Sequence, residues 1–169
     1  MTRTLLTHRI LSVEAFPVLT SAGTSEYVRL RMPDWVNVVA VTAEGALVLV
    51  RQHRWGIDAS TLEIAGGMVD PGEDPAVSAA RELLEETGYG GGALTALGWV
   101  WANPAIQDNK TWMYLMEGVT WVTEPHRGPG EEDLEVVLVP VEQTRRLLDE
   151  GRVSHALAVV ALQRFLLRG

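Results

Sequence analysis

The chain has no cysteine among its 169 residues. Disulfide bonds, thiolate metal sites and cysteine nucleophiles are therefore excluded. It also lacks an apolar run long enough to cross a membrane. Residues 1–16 contain neither a continuous apolar stretch nor a small-residue cleavage site, so we do not expect them to act as a secretory signal. These absences predict a cytoplasmic protein.

Positive charge is scarce as well. Lysine and arginine total 14 against 22 aspartates and glutamates, which gives a net charge of −8 and a pI near 5.0. This balance argues against nonspecific binding to nucleic acid or to anionic membranes. It leaves phosphorylated substrates open, because bound cations can invert a local field. With 47% hydrophobic residues, the chain is predicted to form one domain around one core.

Apolar patterning predicts a sheet interrupted by one helix and followed by two more. Residues 8–32 alternate apolar and polar positions, which indicates two or three strands before Pro33. The runs 36–42 and 46–52 flank a turn at 43–45 and predict a buried hairpin. Further strands are expected at 61–65, 93–102, 111–119 and 134–139, and terminal helices at 141–150 and 155–167. This order of elements predicts an α/β sandwich.

The stretch 67–89, GMVDPGEDPAVSAARELLEETGY, concentrates carboxylates on a helix. Asp74 is a plausible N-cap, and Gly88 stands where a helix end favours a left-handed residue. Helical spacing places Glu82, Glu85 and Glu86 together with Ser78 on one face. The opposite face is predicted to pack on the core and contains Ala76, Val77, Ala80, Leu83 and Leu84.

Such a carboxylate face has two interpretations. Charged residues on a helix commonly form a solvated surface. Alternatively, the carboxylates bind Mg²⁺, which takes oxygen ligands and bridges them to substrate phosphates. The spacing of the whole segment favours the second interpretation, because it fits G-x5-E-x7-R-E-U-x-E-E-x-G-U, where U is bulky and apolar. This pattern is the Nudix box, and the chain resembles the Nudix hydrolases; Tyr89 replaces the usual aliphatic residue at the last position.

The resemblance implies a fold and a division of the chain. The implied fold is a Nudix-type α/β/α sandwich with a mixed β-sheet and an N-terminal antiparallel strand extension. Residues 1–34 would be N-terminal strands that mediate dimerisation, through apolar residues such as Ile10, Val13 and Phe16. Residues 35–169 would be the hydrolase domain. The expected partners are a small nucleoside diphosphate sugar and a second copy of the chain, with no nucleic acid and no membrane.

A second resemblance lies outside the box. Arg51-Gln52-His53-Arg54, followed by Leu62 to Gly67, is similar to the ADP-ribose pyrophosphatase branch, and Pro104 stands fifteen residues past Tyr89 as in that branch. The loop Asn103 to Lys110 departs from it, because the usual Ser-Pro-Gly is absent. The similarity makes ADP-ribose the leading candidate substrate, and the departure in the loop leaves other nucleoside diphosphate sugars open.

The resemblance also implies roles for individual residues. Metal ligands would be Glu82, Glu86, Glu85 and the carbonyl of Gly66, binding Mg²⁺, for which Mn²⁺ can substitute. Arg81 would brace the box glutamates, although it could equally be a surface arginine. The general base would lie on the loop 128–133, with Glu132 favoured over Glu131 and a box carboxylate such as Glu85 as the fallback. Substrate contacts would come from a further set of residues: Arg51, Arg54, Glu63, Pro104 and Trp35.

Two other functions remain open at the level of sequence. One is hydrolysis of oxidised nucleoside triphosphates, which Pro104 and the N-terminal strands disfavour. The other is a non-catalytic ligand-sensing module, which the complete set of box carboxylates disfavours. The four histidines show no metal-ligand spacing and are assigned no ligand role.

Overall fold

A computed structural model describes residues 1–128 and 133–168. The chain begins with a three-stranded antiparallel sheet of β1 (Arg3–His8), β2 (Leu11–Thr20) and β3 (Gly23–Arg31), in that spatial order. The strands expected within 8–32 are confirmed, and an additional strand precedes them. Every residue of β1 is exposed. The N-terminal sheet therefore stands outside the main core.

The main sheet is mixed. Its strands are β4 (Trp35–Thr42), β5 (Ala46–Arg54), β6 (Ala59–Glu63), β7 (Tyr89–Gly90), β8 (Ala93–Trp101), β9 (Lys110–Trp121) and β10 (Glu135–Pro140). The order is β10-β5-β4-β9-β7, with β6 paired to β5 and β8 paired to β9. Only β4 and β9 run parallel; the other pairs are antiparallel.

The predicted hairpin of β4 and β5 opens soon after its turn. The two strands pair only at Ala40 with Val48 and at Val41 with Leu47. The chain that leaves β6 enters the gap between them, where Val36 and Gly67 exchange backbone hydrogen bonds of 2.9 and 3.2 Å. A Cβ atom on Gly66 would lie 2.2 Å from the carbonyl oxygen of Val36. Only glycine fits this close approach, so the sequence fixes where the segment can enter the sheet.

Helices cover both faces of the main sheet. They are α1 (Pro75–Thr87), α2 (Thr144–Asp149), which follows a 3₁₀ turn at Val141–Gln143, and α3 (Ala156–Leu166). Ala79 and Leu83 of α1 pack on one face, against Val36, Val38, Ala40 and Val48. Ala158, Ala161 and Leu162 of α3 pack on the other, against Val39, Leu47 and Leu49. The predicted α/β/α sandwich is confirmed. None of the helices within the described residues has the length and apolarity that a membrane crossing needs.

The ends of α1 agree with the sequence. The carboxylate of Asp74 accepts a hydrogen bond of 2.8 Å from the backbone N–H of Ala76, as an N-cap does. Gly88 ends the helix with a φ of 75°, and its N–H donates to the carbonyl of Leu84 at 2.8 Å. A left-handed conformation of this kind favours glycine.

The predicted core-facing stripe of α1 was right at Ala76, Leu83 and Leu84 and wrong at Val77 and Ala80. Val77 is 58% exposed and Ala80 is also exposed, whereas Ser78 and Glu86 are buried beside Leu83. The helix turns part of its polar face inward because hydrogen bonds compensate the burial: the hydroxyl of Ser78 donates to Glu73, and Glu86 accepts from the backbone.

Candidate active site

Helix α1 lies along the segment that enters the sheet. Oε2 of Glu86 accepts a hydrogen bond of 3.1 Å from the N–H of Gly66. The carboxylate of Glu82 rests against Gly67, where an added Cβ would lie 2.4 Å from it. At the position before Glu82, the guanidinium of Arg81 donates to the carbonyl of Met68 at 3.3 Å. The two glycines thus let both glutamates approach the backbone of the sheet.

Arg81 connects the acidic residues of the box. Its guanidinium donates to both carboxylate oxygens of Glu73, at 3.1 and 2.9 Å, to Glu82 at 2.9 Å and to Glu85 at 3.1 Å. Hydrogen bonds from Arg81 and then Ser78 lower the pKa of Glu73 to about 2. The hydrogen bond to Glu73 raises the pKa of Arg81 despite partial burial. These are the contacts expected of a bracing arginine.

The box carboxylates offer an incomplete donor set for a metal. Glu82 and Glu86 meet at Gly66 and Gly67, while Glu85 has 42% of its side chain exposed and contacts Arg81. Within residues 1–128 and 133–168, no group of three or more carboxylate or imidazole side chains is arranged to hold a metal ion. Mg²⁺ is usually bound by one or two carboxylates and completes its shell with waters and substrate phosphates. Two glutamates beside backbone carbonyls are compatible with that mode of coordination.

Arg54 and Glu63, both predicted to contact substrate, contact each other. The guanidinium of Arg54 donates to the two oxygens of Glu63 at 2.8 and 2.7 Å. Glu63 is 1% exposed and also accepts from the hydroxyl of Thr61 at 2.5 Å. Nδ1 of His155, at the start of α3, lies 2.6 Å from Glu63 Oε2. Burial alone would raise the pKa of Glu63, but the hydrogen bonds from Arg54, His155 and Thr61 hold it well below its usual range.

The other residues predicted to contact the substrate lie on separate elements of the fold. Arg51 is exposed on β5 and pairs with Glu135 of β10 at 2.8 Å. Trp35 is half-buried at the start of β4, beside Met68. Pro104 is exposed in the loop between β8 and β9, which is tied to the N-terminal sheet by a hydrogen bond of 2.8 Å from Leu30 to Ile106. Glu131 and Glu132 lie outside the described residues.

Sequence reasoning missed an aromatic cluster around Lys110. Its ammonium lies 4.6 Å from the ring centre of Trp99, 5.3 Å from Trp112 and 5.6 Å from Trp101, distances typical of cation–π contacts. The rings belong to facing strands, in which Trp99 pairs with Trp112 and Trp101 with Lys110. Only the register of β8 against β9 could have brought them together. His155 was also missed, because nothing in its local sequence signals a partner in β6.

Comparison with known proteins places this geometry in a family. The NUDIX domain model matches residues 33–160, which is most of the chain. The chain belongs to the Nudix family. The matched region contains Arg81 and the box carboxylates Glu73, Glu82, Glu85 and Glu86 together.

Several relatives of this Nudix protein are enzymes by name. It is 32% identical to an "ADP-ribose pyrophosphatase" of Bacillus subtilis (strain 168), over 79% of this chain and 72% of the relative. It is 30% identical to "ADP compounds hydrolase NudE" of Escherichia coli (strain K12), over 98% of this chain and 88% of the relative. A solved structure described as "ADP compounds hydrolase" superposes with a TM-score of 0.85 at 27% identity, covering 98% of this chain and 89% of that one.

The expected family and enzyme class are thereby confirmed: the protein is a Nudix hydrolase similar to ADP-ribose pyrophosphatases. A purely non-catalytic module is not supported. Because members of this family work with divalent metals, the Glu82–Glu86 arrangement is the natural place to look for one.

Proposed function

We propose that this Nudix hydrolase is a Mg²⁺-dependent pyrophosphatase of nucleoside diphosphate sugars, which cleaves ADP-ribose to AMP and ribose 5-phosphate. The observation that carries the proposal is the convergence of Glu82 and Glu86 on Gly66 and Gly67, with Arg81 bracing the same face. The names of the relatives from Bacillus subtilis and Escherichia coli support an ADP-containing substrate.

The proposed ligands of Mg²⁺ are Glu82, Glu86, the carbonyl of Gly66 and, at the exposed edge, Glu85. When bound, the metal would neutralise charge on the diphosphate and lower the pKa of an attacking water. Arg81 would hold the carboxylates in place, since it donates to Glu82 and Glu85 from one guanidinium. Proton removal from the water is proposed for Glu132 or Glu131.

Substrate contacts outside the diphosphate are proposed on three sides of the site. Trp35 adjoins Met68, the residue that follows the two glycines, and offers an aromatic face to a nucleobase. Arg51 can reach a phosphate or carboxylate only by leaving Glu135, which is a surface pair and therefore weak. Pro104 would shape the loop at the third side. A second copy of the chain is proposed to bind through residues 1–34.

The substrate is tested by product analysis. Purified protein with Mg²⁺ would be incubated with ADP-ribose, GDP-mannose, UDP-glucose, NADH and deoxynucleoside triphosphates, and the products separated by chromatography. We expect AMP and ribose 5-phosphate as the fastest-formed products. Preferred cleavage of the triphosphates, with release of inorganic pyrophosphate, would overturn the proposal in favour of a triphosphate-cleaving enzyme.

The metal site is tested by Glu86→Gln. The loss of one negatively charged ligand weakens metal binding. The charge that develops on the diphosphate in the transition state is then less well neutralised, so kcat should fall by on the order of 10³-fold. The matched control is Glu44→Gln, which neutralises an exposed carboxylate in the turn between β4 and β5 and should leave kcat unchanged. Near wild-type activity of Glu86→Gln at saturating Mg²⁺ would refute the assignment.

A further inference from the structure

The carboxylate of Glu63 has no capacity left for a substrate. Oε1 accepts from Nε of Arg54 and from the hydroxyl of Thr61, and Oε2 accepts from Nη2 of Arg54. Nδ1 of His155 lies 2.6 Å from Oε2 and occupies the remaining side of the carboxylate. The side chain is also 1% exposed. A carboxylate has about four lone-pair positions, so all of them are engaged inside the protein. Glu63 therefore acts on its neighbours rather than on a ligand.

Two neighbours of Glu63 reach solvent: Arg54, with 41% of its side chain exposed, and His155. Nδ1 of His155 is shielded from solvent, yet 36% of its side chain remains exposed. Nε2 is not among the polar atoms shielded from solvent, so we take it as the nitrogen on the open side of the ring. A buried carboxylate behind one nitrogen fixes the orientation of an imidazole and leaves the other nitrogen directed outward. His155 is thus held with one polar atom presented at the surface.

A short stretch of chain joins this surface to the proposed diphosphate site. Glu63 stands three residues before Gly66, whose N–H donates to Glu86. In an extended segment this separation is about 10 Å. The nucleoside half of a nucleoside diphosphate sugar is of similar length. With the diphosphate at Glu82 and Glu86, one half of the substrate would lie over the end of β6, where His155 is held.

We propose that Nε2 of His155 hydrogen-bonds an oxygen of the substrate, on a phosphate or a sugar hydroxyl, and that Glu63 and Arg54 are positioning residues which fix this imidazole. This inference rests on the proposed function. It differs from the prediction that Arg54 and Glu63 bind substrate themselves. It also differs from a purely structural tie between β6 and α3, which would require only Nδ1 of the ring.

Two substitutions separate these roles. His155→Asn retains an N–H near the position of Nδ1 and loses the outer nitrogen. His155→Gln places its amide near the position of Nε2 and gives up the contact with Glu63. With ADP-ribose, we expect His155→Asn to raise KM by about 10-fold, the loss typical of a hydrogen bond to a charged group, and to leave kcat nearly unchanged. His155→Gln should keep a KM closer to that of the wild type.

The hairpin of β5 and β6, which contains Glu63, also provides a matched control. His53 of β5 also faces a carboxylate, with Nε2 3.3 Å from Asp58, but the partner side chain is 90% exposed. His53→Asn should leave KM unchanged. Thermal unfolding of all three variants would show whether a change in KM accompanies a loss of fold.

Calorimetric titration with AMP and with ribose 5-phosphate assigns the contact and does not depend on turnover. His155→Asn should weaken binding of one of the two by about 10-fold, and the affected product identifies the half of the substrate that His155 touches. Unchanged affinity for both products, or a loss of stability in His155→Asn without a change in KM, would overturn the proposal. If the wild type binds these products but does not hydrolyse ADP-ribose, the proposed function fails separately.

Discussion

At the level of single residues, the adjacent glycines Gly66 and Gly67 are required for different reasons. An added Cβ on Gly67 meets the carboxylate of Glu82, which is the end of a flexible side chain. An added Cβ on Gly66 meets the backbone of Val36, at 2.2 Å, and the side chain of Asn37. The first clash can be relieved by moving one carboxylate, whereas the second requires the sheet to open.

Alanine substitutions should therefore separate chemistry from folding. We expect Gly67→Ala to keep a thermal midpoint near that of the wild type and to lose about 10-fold or more in kcat, because Glu82 is displaced. Gly66→Ala should lower the free energy of unfolding by about 3 kcal/mol, as overpacking against backbone does. Calorimetry and steady-state kinetics on both variants test this, and equal effects of the two substitutions on stability would contradict it.

Glu131 and Glu132 call for a different experiment. If Glu132 or Glu131 removes the proton from water, its replacement should affect the chemical step and spare binding. General base catalysis contributes about 10²–10⁴-fold, so Glu132→Gln should lose kcat in that range with little change in KM. Single and double variants at both positions would be assayed with ADP-ribose. Full kcat in the double variant would transfer the base to Glu85 or another box carboxylate.

The sequence predicted the residues of the site unevenly. Glu82, Glu85, Glu86 and Arg81 follow one another on a helix, so their proximity could be derived from spacing alone. His155 and Glu63 are brought together by the return of α3 to the edge of β6. A contact of that kind depends on three-dimensional topology, so local sequence patterns do not predict it.

At the level of elements, α1 shows how a functional helix violates simple patterning. Hydropathy placed Val77 and Ala80 inside and the polar residues outside. In the structure Val77 is exposed, and Ser78 and Glu86 are buried with hydrogen-bond partners. Burial of a polar side chain costs little once its bonds are satisfied. The helix caps were nevertheless predictable, because Asp74 and Gly88 act through local backbone geometry.

A pair of apolar substitutions tests this orientation of α1. Val77→Ala should change the free energy of unfolding by less than about 0.5 kcal/mol, as is usual at exposed positions. Leu83→Ala removes a fully buried side chain from the core under the helix and should cost about 2–5 kcal/mol. Denaturant titration of both variants measures the difference. Similar losses of stability in the two variants would instead support the prediction from the sequence that Val77 faces the core.

At the level of the whole molecule, the N-terminal sheet has little to pack against. Leu5 and Leu6 of β1 are about half exposed, at 51% and 52%, and Leu19 of β2 is 82% exposed. Tyr27 and Val28 of β3 are half exposed as well. The apolar residues first expected to drive dimerisation, among them Val13 and Phe16, are instead partly covered within the chain. Patterning predicted the strands correctly but could not tell which of their apolar residues are left exposed.

Exposed apolar residues grouped on one small sheet mark a surface that associates with a partner. We therefore predict a homodimer formed through residues 1–34. Light scattering at micromolar concentration should give twice the chain mass of 18.5 kDa. The double variant Leu5→Glu/Leu6→Glu places charge on this exposed apolar surface and should shift the mass to that of a monomer. Val122→Glu, at an apolar residue 54% exposed beyond the end of β9, should remain dimeric. A wild-type mass near 18.5 kDa would refute the prediction and leave the exposed leucines of the N-terminal sheet without a role in self-association.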